Sequence, residues 1–201
     1  MGATGLRDRL ARLYASAHHK YTRDNAPVSF LEELARQGPI LVAMPRDPTS
    51  FEAARHVLPH LRQFTTGDEG PARIHTLLHE TFKNWIDTRL IPQALAWGDG
   101  ELNRLRLPSH RLLNRVAGLG CGVALDLNLD EDLGAAYAVG MTGARIRISL
   151  GERAHRQFYN VELMVPVDRQ DLRKTYLGVV RQLHQTFFPS GGETPTELST
   201  L

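Results

Sequence analysis

Apolar residues along this chain fall into two kinds of pattern, short unbroken runs and stripes repeating every three or four positions, and the two alternate. The runs at 40–44 (ILVAM), 123–127 and 146–150 suit strands covered on both faces of a parallel sheet. The stretch VALDLNLDEDLGAAYAVGMTGARIRISL at 123–150 reads as strand, turn, short helix and strand, which is a βαβ unit. Further strands are expected at 73–78, 93–97 and 159–165. Helical spacing of Leu6, Leu10, Leu13, Tyr14, Ala17 and Tyr21 predicts an amphipathic helix over 5–22. A second helix, 29–37, stops at Gly38 and Pro39. Thr49 and Glu52 form a capping-box pair for a third, whose stripe is Phe51, Ala54, Val57, Leu58, Leu61 and Phe64, with Pro59 bending it. Helices are also expected at 80–90, at 101–118 with an interruption at Pro108, and at 168–188, where acids come early and bases late.

Five to six strands alternating with helices predict a doubly wound, mostly parallel, Rossmann-like α/β domain with an added N-terminal helix. The expected division is a helical appendage at 1–38, the α/β domain at 39–188, and a tail at 189–201 with no packing face, expected to be disordered. With 201 residues and 42% hydrophobic content, the chain can bury one full core. A net charge of +2 demands neither nucleic acid nor an anionic membrane as partner. The one cysteine, Cys121, excludes an internal disulfide and a cysteine metal cage, and its place beside a strand suits a small core residue. No apolar run approaches the roughly 20 residues that span a bilayer, and the N-terminus is charged, so a cytoplasmic protein is expected. The 5–22 helix, with Arg7, Arg9, Arg12, Lys20 and Arg23, either packs on the domain or a partner, or lies on a membrane surface.

In doubly wound sheets ligands sit beyond the carboxyl ends of the strands, which selects the loops at 45–50, 79–81, 98–101 and 128–132. The first, MPRDPTSFE, offers Arg46, Thr49 and Ser50 at a helix start, where a phosphate can bind, yet it lacks G-x-G-x-x-G and the Walker pattern. Thr49 therefore reads first as a cap. In the fourth loop, Asp130, Glu131 and Asp132 crowd a helix N-terminus, a capping arrangement that repels anions, although with Asn128 they could offer oxygen ligands to a divalent metal. Asp126, a carboxylate within an apolar strand, must find hydrogen bonds or lose its charge; it either ties down a neighbouring loop or acts in catalysis. The pairs His75/His79 and His56/His60 lack H-E-x-x-H, and G-L-G-C-G at 118–122 precedes a strand instead of following one. Arg104, Arg106, His110, Arg111 and Arg115 form a basic helix face without aromatic support for RNA. No cofactor and no bound metal are expected.

ILVAMP followed by SFEAARHVLPHLRQF, and GVALDLN followed by AAYAVGMTGARIRISL, resemble the N-terminal, acceptor lobe of the heptosyltransferase-like glycosyltransferases over roughly residues 39–183. The resemblance implies a two-lobed enzyme whose second lobe holds the nucleotide-sugar, and accounts for Pro59. That family's Gly-Asp pair, the Asp being its base toward the acceptor hydroxyl, falls on Glu52 and Ala53 here, and no counterpart of the second lobe follows. The expectation is thus a single-lobe, degenerate relative that binds or scaffolds, with a protein partner or a second copy of itself. The alternative is a glycosyltransferase subunit whose donor lobe comes from another chain, with Asp47 or Asp126 as base.

Overall fold

The computed structural model describes residues 3–22, 38–61, 74–86 and 93–187. Six strands form one all-parallel sheet: β1 (Ile40–Ala43), β2 (Ile74–His79), β3 (Gln93–Trp97), β4 (Val123–Asp126), β5 (Ile146–Leu150) and β6 (Val161–Leu163). Their spatial order is β3-β2-β1-β4-β5-β6, the doubly wound Rossmann-like arrangement. Central register is set by β1, where Ile40 lies opposite Ile74 on one side and Val123 on the other. Alternation then sends Val42, Leu78, Leu125 and Ile148 to one face and Leu41, Leu77 and Ala124 to the other. Both faces are covered, which is why these strands read as continuous apolar runs.

The first face is packed by α2 (Pro48–Arg55), the short α3 (Leu58–Leu61) and α6 (Leu172–Phe187), through Phe51, Leu58, Leu61, Tyr176, Val179 and Val180. Phe51 stacks on Phe82 with ring centroids 4.3 Å apart. The second face is packed by α1 (Ala3–Thr22), α4 (His110–Ala117) and α5 (Leu133–Gly140). Small residues let α5 approach closely: a Cβ on Gly134 would lie 2.9 Å from the Trp97 ring, and one on Gly140 2.6 Å from Phe158. Arg147, a charged residue inside β5, donates to the carbonyls of Phe158 (2.9 Å) and Ala144 (2.5 Å), so its burial leaves the charge well hydrogen-bonded.

Several local expectations change. The helix after β1 breaks at residues 56–57, and Pro59 lies at the second position of α3, where no helical donor is needed. Asp47 is the N-cap of α2, its Oδ2 accepting from the Ser50 amide at 2.7 Å, so Thr49 stands inside the helix and caps nothing. A 3-10 turn, Glu80–Trp85, replaces the first half of the expected 80–90 helix. The span 101–118 is α-helical only from His110, where Ser109 caps α4. Ahead of it, Leu102 and Pro108 form a bridge around a loop held by Asn103, whose side chain accepts from the amides of Leu105 and Leu107. Arg106 there adopts φ 58°. In the basic patch, Arg106 pairs with Asp99 and Arg115 with Glu101. The helix expected at 29–37, the turn at 65–71 and the tail at 189–201 lie outside the described residues. Cys121 is buried, and burial pushes its thiol up to about 12, so it stays protonated. Among the described residues no helix is long and apolar enough to cross a membrane.

Candidate functional site

The chain winds outward in opposite directions from β1 and β4, so the loops leaving their carboxyl ends part and leave a crevice. Of the six candidate site residues, Arg46, Asp47 and Asn128 lie on these two connections, Thr49 and Ser50 at the helix start beside them, and Asp126 at the end of β4 itself. They separate into distinct groups. Ser50 is buried and its side chain bonds the Tyr176 hydroxyl, which itself donates to the Leu127 carbonyl at 2.9 Å. Ser50 thereby joins α2 to α6 and to the end of β4. Asp47 and Thr49 stay exposed at the mouth of the crevice.

Asp126, only 2% exposed, is the centre of the second group. Its Oδ1 accepts from the Asn128 amide (3.0 Å) and side chain (2.6 Å), and its Oδ2 from the Tyr159 hydroxyl (2.5 Å). Burial raises the carboxyl above its ordinary range; the bonds from Tyr159 and Asn128, and the nearby Arg153 charge, pull the other way. Tyr159 is raised in turn, by burial and by the Asp126 charge. Arg153 is buried too, donating through Nη1 to Leu129 O at 2.9 Å and through Nη2 to Asn128 O. Its Nε, sealed from solvent, has no hydrogen-bond partner among the described residues. One cluster therefore fixes both the turn after β4 and the segment after β5.

The three acids of the next turn do three different things, not one. Asp132 alone caps α5, accepting from the Ala135 amide at 3.0 Å, and lies 3.8 Å from Arg46, whose guanidinium covers the Trp97 ring at 5.2 Å. Glu131 accepts from the Ala154 amide and lies 3.3 Å from the buried His155, which burial holds below the ordinary imidazole value. Asp130 takes a two-pronged contact from Arg169, at 2.7 and 3.2 Å, which lowers its carboxyl. Among the described residues no group of three or more His, Cys, Asp or Glu side chains is placed to hold a metal ion.

Sequence reasoning missed Tyr159, Arg153, His155, Trp97 and Arg169. One signal was present: a buried Asp126 needs donors, and the neighbouring strand's exit, residues 151–159, supplies an Arg, a His and a Tyr. Beside the crevice, a cleft of about 610 Å³ runs between α2 and the start of α6, lined by Thr49, Glu52, His56, Trp85, Arg169 and Arg173 among others. Thr49, exposed at the start of α2, also lines this cleft.

No family model matches the chain, and no curated protein is similar to it. Among solved structures it resembles a glycosyl transferase family 9 protein from Veillonella parvula DSM 2008, with TM-score 0.52 and 16% identity over 73% of this chain. The match spans 41% of that protein's length. At this identity the likeness concerns the fold, which is glycosyltransferase-like.

Proposed function

We propose that this chain is a non-catalytic binding or scaffold protein built on a glycosyltransferase-like acceptor-lobe fold, acting through a protein partner or a second copy of itself. The observation that carries the reading is the engagement of the acids at the strand ends. A base toward an acceptor hydroxyl needs an oxygen within hydrogen-bond reach of the substrate. Here Asp126 has both oxygens bonded beneath the surface, Asp132 caps a helix, and Glu131 and Asp130 hold the segments after β5 and β6. These side chains build a firm rim for binding in place of reactive groups.

A second reading has one observation in its favour. Asp47 is exposed at the crevice and uses only Oδ2 in its cap, leaving Oδ1 able to take a proton in a subunit whose donor lobe is supplied by another chain. Asp126 is the weaker candidate base because it is enclosed.

The test is capture of partners from the native host by the tagged chain at low salt, followed by transfer assays with nucleotide-sugars on whatever co-purifies. The binding reading expects a defined partner and no transfer. Transfer that survives Asp47→Asn, which retains the cap, would remove Asp47 as base. Transfer abolished by that substitution would replace the scaffold reading with the enzyme one.

A further inference from the structure

Helix α1 is apolar on two sides. Its inward side is made of small residues: Ala11 and Ala15 are buried, and His19 packs edge-on to Phe158 at 5.1 Å. Polar contacts hold it in place, among them His18 Nδ1 with the Tyr137 hydroxyl at 2.5 Å, Gln157 Nε2 to Ser16 Oγ at 3.0 Å, and a bond between the Tyr14 and Tyr137 side chains. The outward side carries the large residues. Leu6, Leu10, Leu13 and Tyr14 are 65, 48, 68 and 47% exposed, and Ala17 continues the line. At 3.6 residues per turn these five side chains form one stripe. Arg9 and Lys20 border one flank of it and Arg7 the other, while Asp8 falls on the opposite side of the helix; all four are exposed.

The stripe is short, about 16 Å by 1.5 Å rise per residue. A strip of that length and a helix's width offers far less than the roughly 800 Å² per partner of a stable protein interface. Pairing with a second α1 would also bring together two stripes flanked by Arg7, Arg9 and Lys20, with no acid on either to answer them. An anionic lipid surface meets both conditions: leucine side chains enter the acyl boundary singly, and flanking cations lie at headgroup level. We infer that α1 is an interfacial helix that seats the domain on anionic lipid through Leu6, Leu10 and Leu13. The closely packed junction with α5 lets it do so without leaving the domain.

Sedimentation of the full chain with vesicles tests this, using equal phosphatidylcholine and phosphatidylglycerol against phosphatidylcholine alone. Binding is expected to the anionic vesicles, weakening as salt rises, and at least about tenfold less to the neutral ones. Leu10→Asp/Leu13→Asp should reduce the bound fraction by a similar factor while leaving the melting temperature unchanged, since both side chains are on the outer face. Arg7→Ser/Arg9→Ser should weaken binding with the leucines intact. Equal binding to both vesicle types, no binding at all, or binding unaffected by the leucine substitutions overturns the inference. Concentration-dependent self-association abolished by the leucine pair, without vesicle binding, overturns it in favour of a protein surface.

Discussion

Replacing Tyr159 by Phe removes one hydroxyl and nothing else from the sealed cluster around Asp126. The ring stays in the core beside Phe158, so no cavity opens. Asp126 Oδ1 keeps both bonds from Asn128, but Oδ2 loses its donor. A hydrogen bond to a charged group contributes about 1.5–3 kcal/mol, so a loss of about 2 kcal/mol is expected where Asp126 is ionised. For a chain of 201 residues that lowers Tm by about 4–8 °C. The dependence on pH has a definite sign. Asp126 is raised above the ordinary 3.8, so between that value and its folded pKa the native state holds a proton that the unfolded chain has released, and stability falls as pH rises. The Tyr159 hydroxyl favours the carboxylate; without it the folded pKa rises further and the decline extends over a longer span. The penalty of Tyr159→Phe should therefore be small near pH 4.5 and largest near pH 8.5. Urea denaturation of both proteins at the two pH values measures it. An equal penalty at both, a larger one in acid, or less than about 0.5 kcal/mol at pH 8.5 would refute the reasoning.

Asp132→Ala should cost about 1 kcal/mol through the lost α5 cap, since its half-exposed partner Arg46 adds little; Asp132→Asn should recover most of it in the same denaturation assay, and equal losses would deny the cap. Gly140→Ala places a methyl 2.6 Å from Phe158 Cδ1 and 3.1 Å from His19, which should displace α1 and cost about 1–3 kcal/mol. Limited proteolysis after α1 should then be faster than in the unaltered chain, and unchanged cleavage would count against tight docking.

The strands were readable because burial on both faces leaves an unmistakable mark, as in ILVA at β1. Helix boundaries were less so, for reasons specific to each place. Thr49 and Glu52 match a capping box, but the residue that controls the helix start is the one whose carboxylate reaches the Ser50 amide, and Asp47 outcompetes them. Ahead of α4, Asn103 gathers two amides into a loop, and no periodicity signals that choice. Helix α1 shows the opposite failure. Its leucines announced a buried face, yet alanines make the contact because α5 comes too near for anything larger. Asp126 was visible as an anomaly, while its donor Tyr159 stands 33 positions away and becomes a neighbour only through the sheet order.

The ties among the strand exits bear on the thermodynamics of binding. Arg46 to Asp132, Arg153 to the carbonyls of Asn128 and Leu129, Glu131 to Ala154 and His155, and Arg169 to Asp130 lace four consecutive exits of the sheet into one collar. A collar closed before any visitor arrives has little configurational freedom left to surrender. Association at this end of the domain should therefore proceed nearly as a rigid-body encounter, with backbone amide exchange in the collar already slow in the free protein and scarcely slower once occupied.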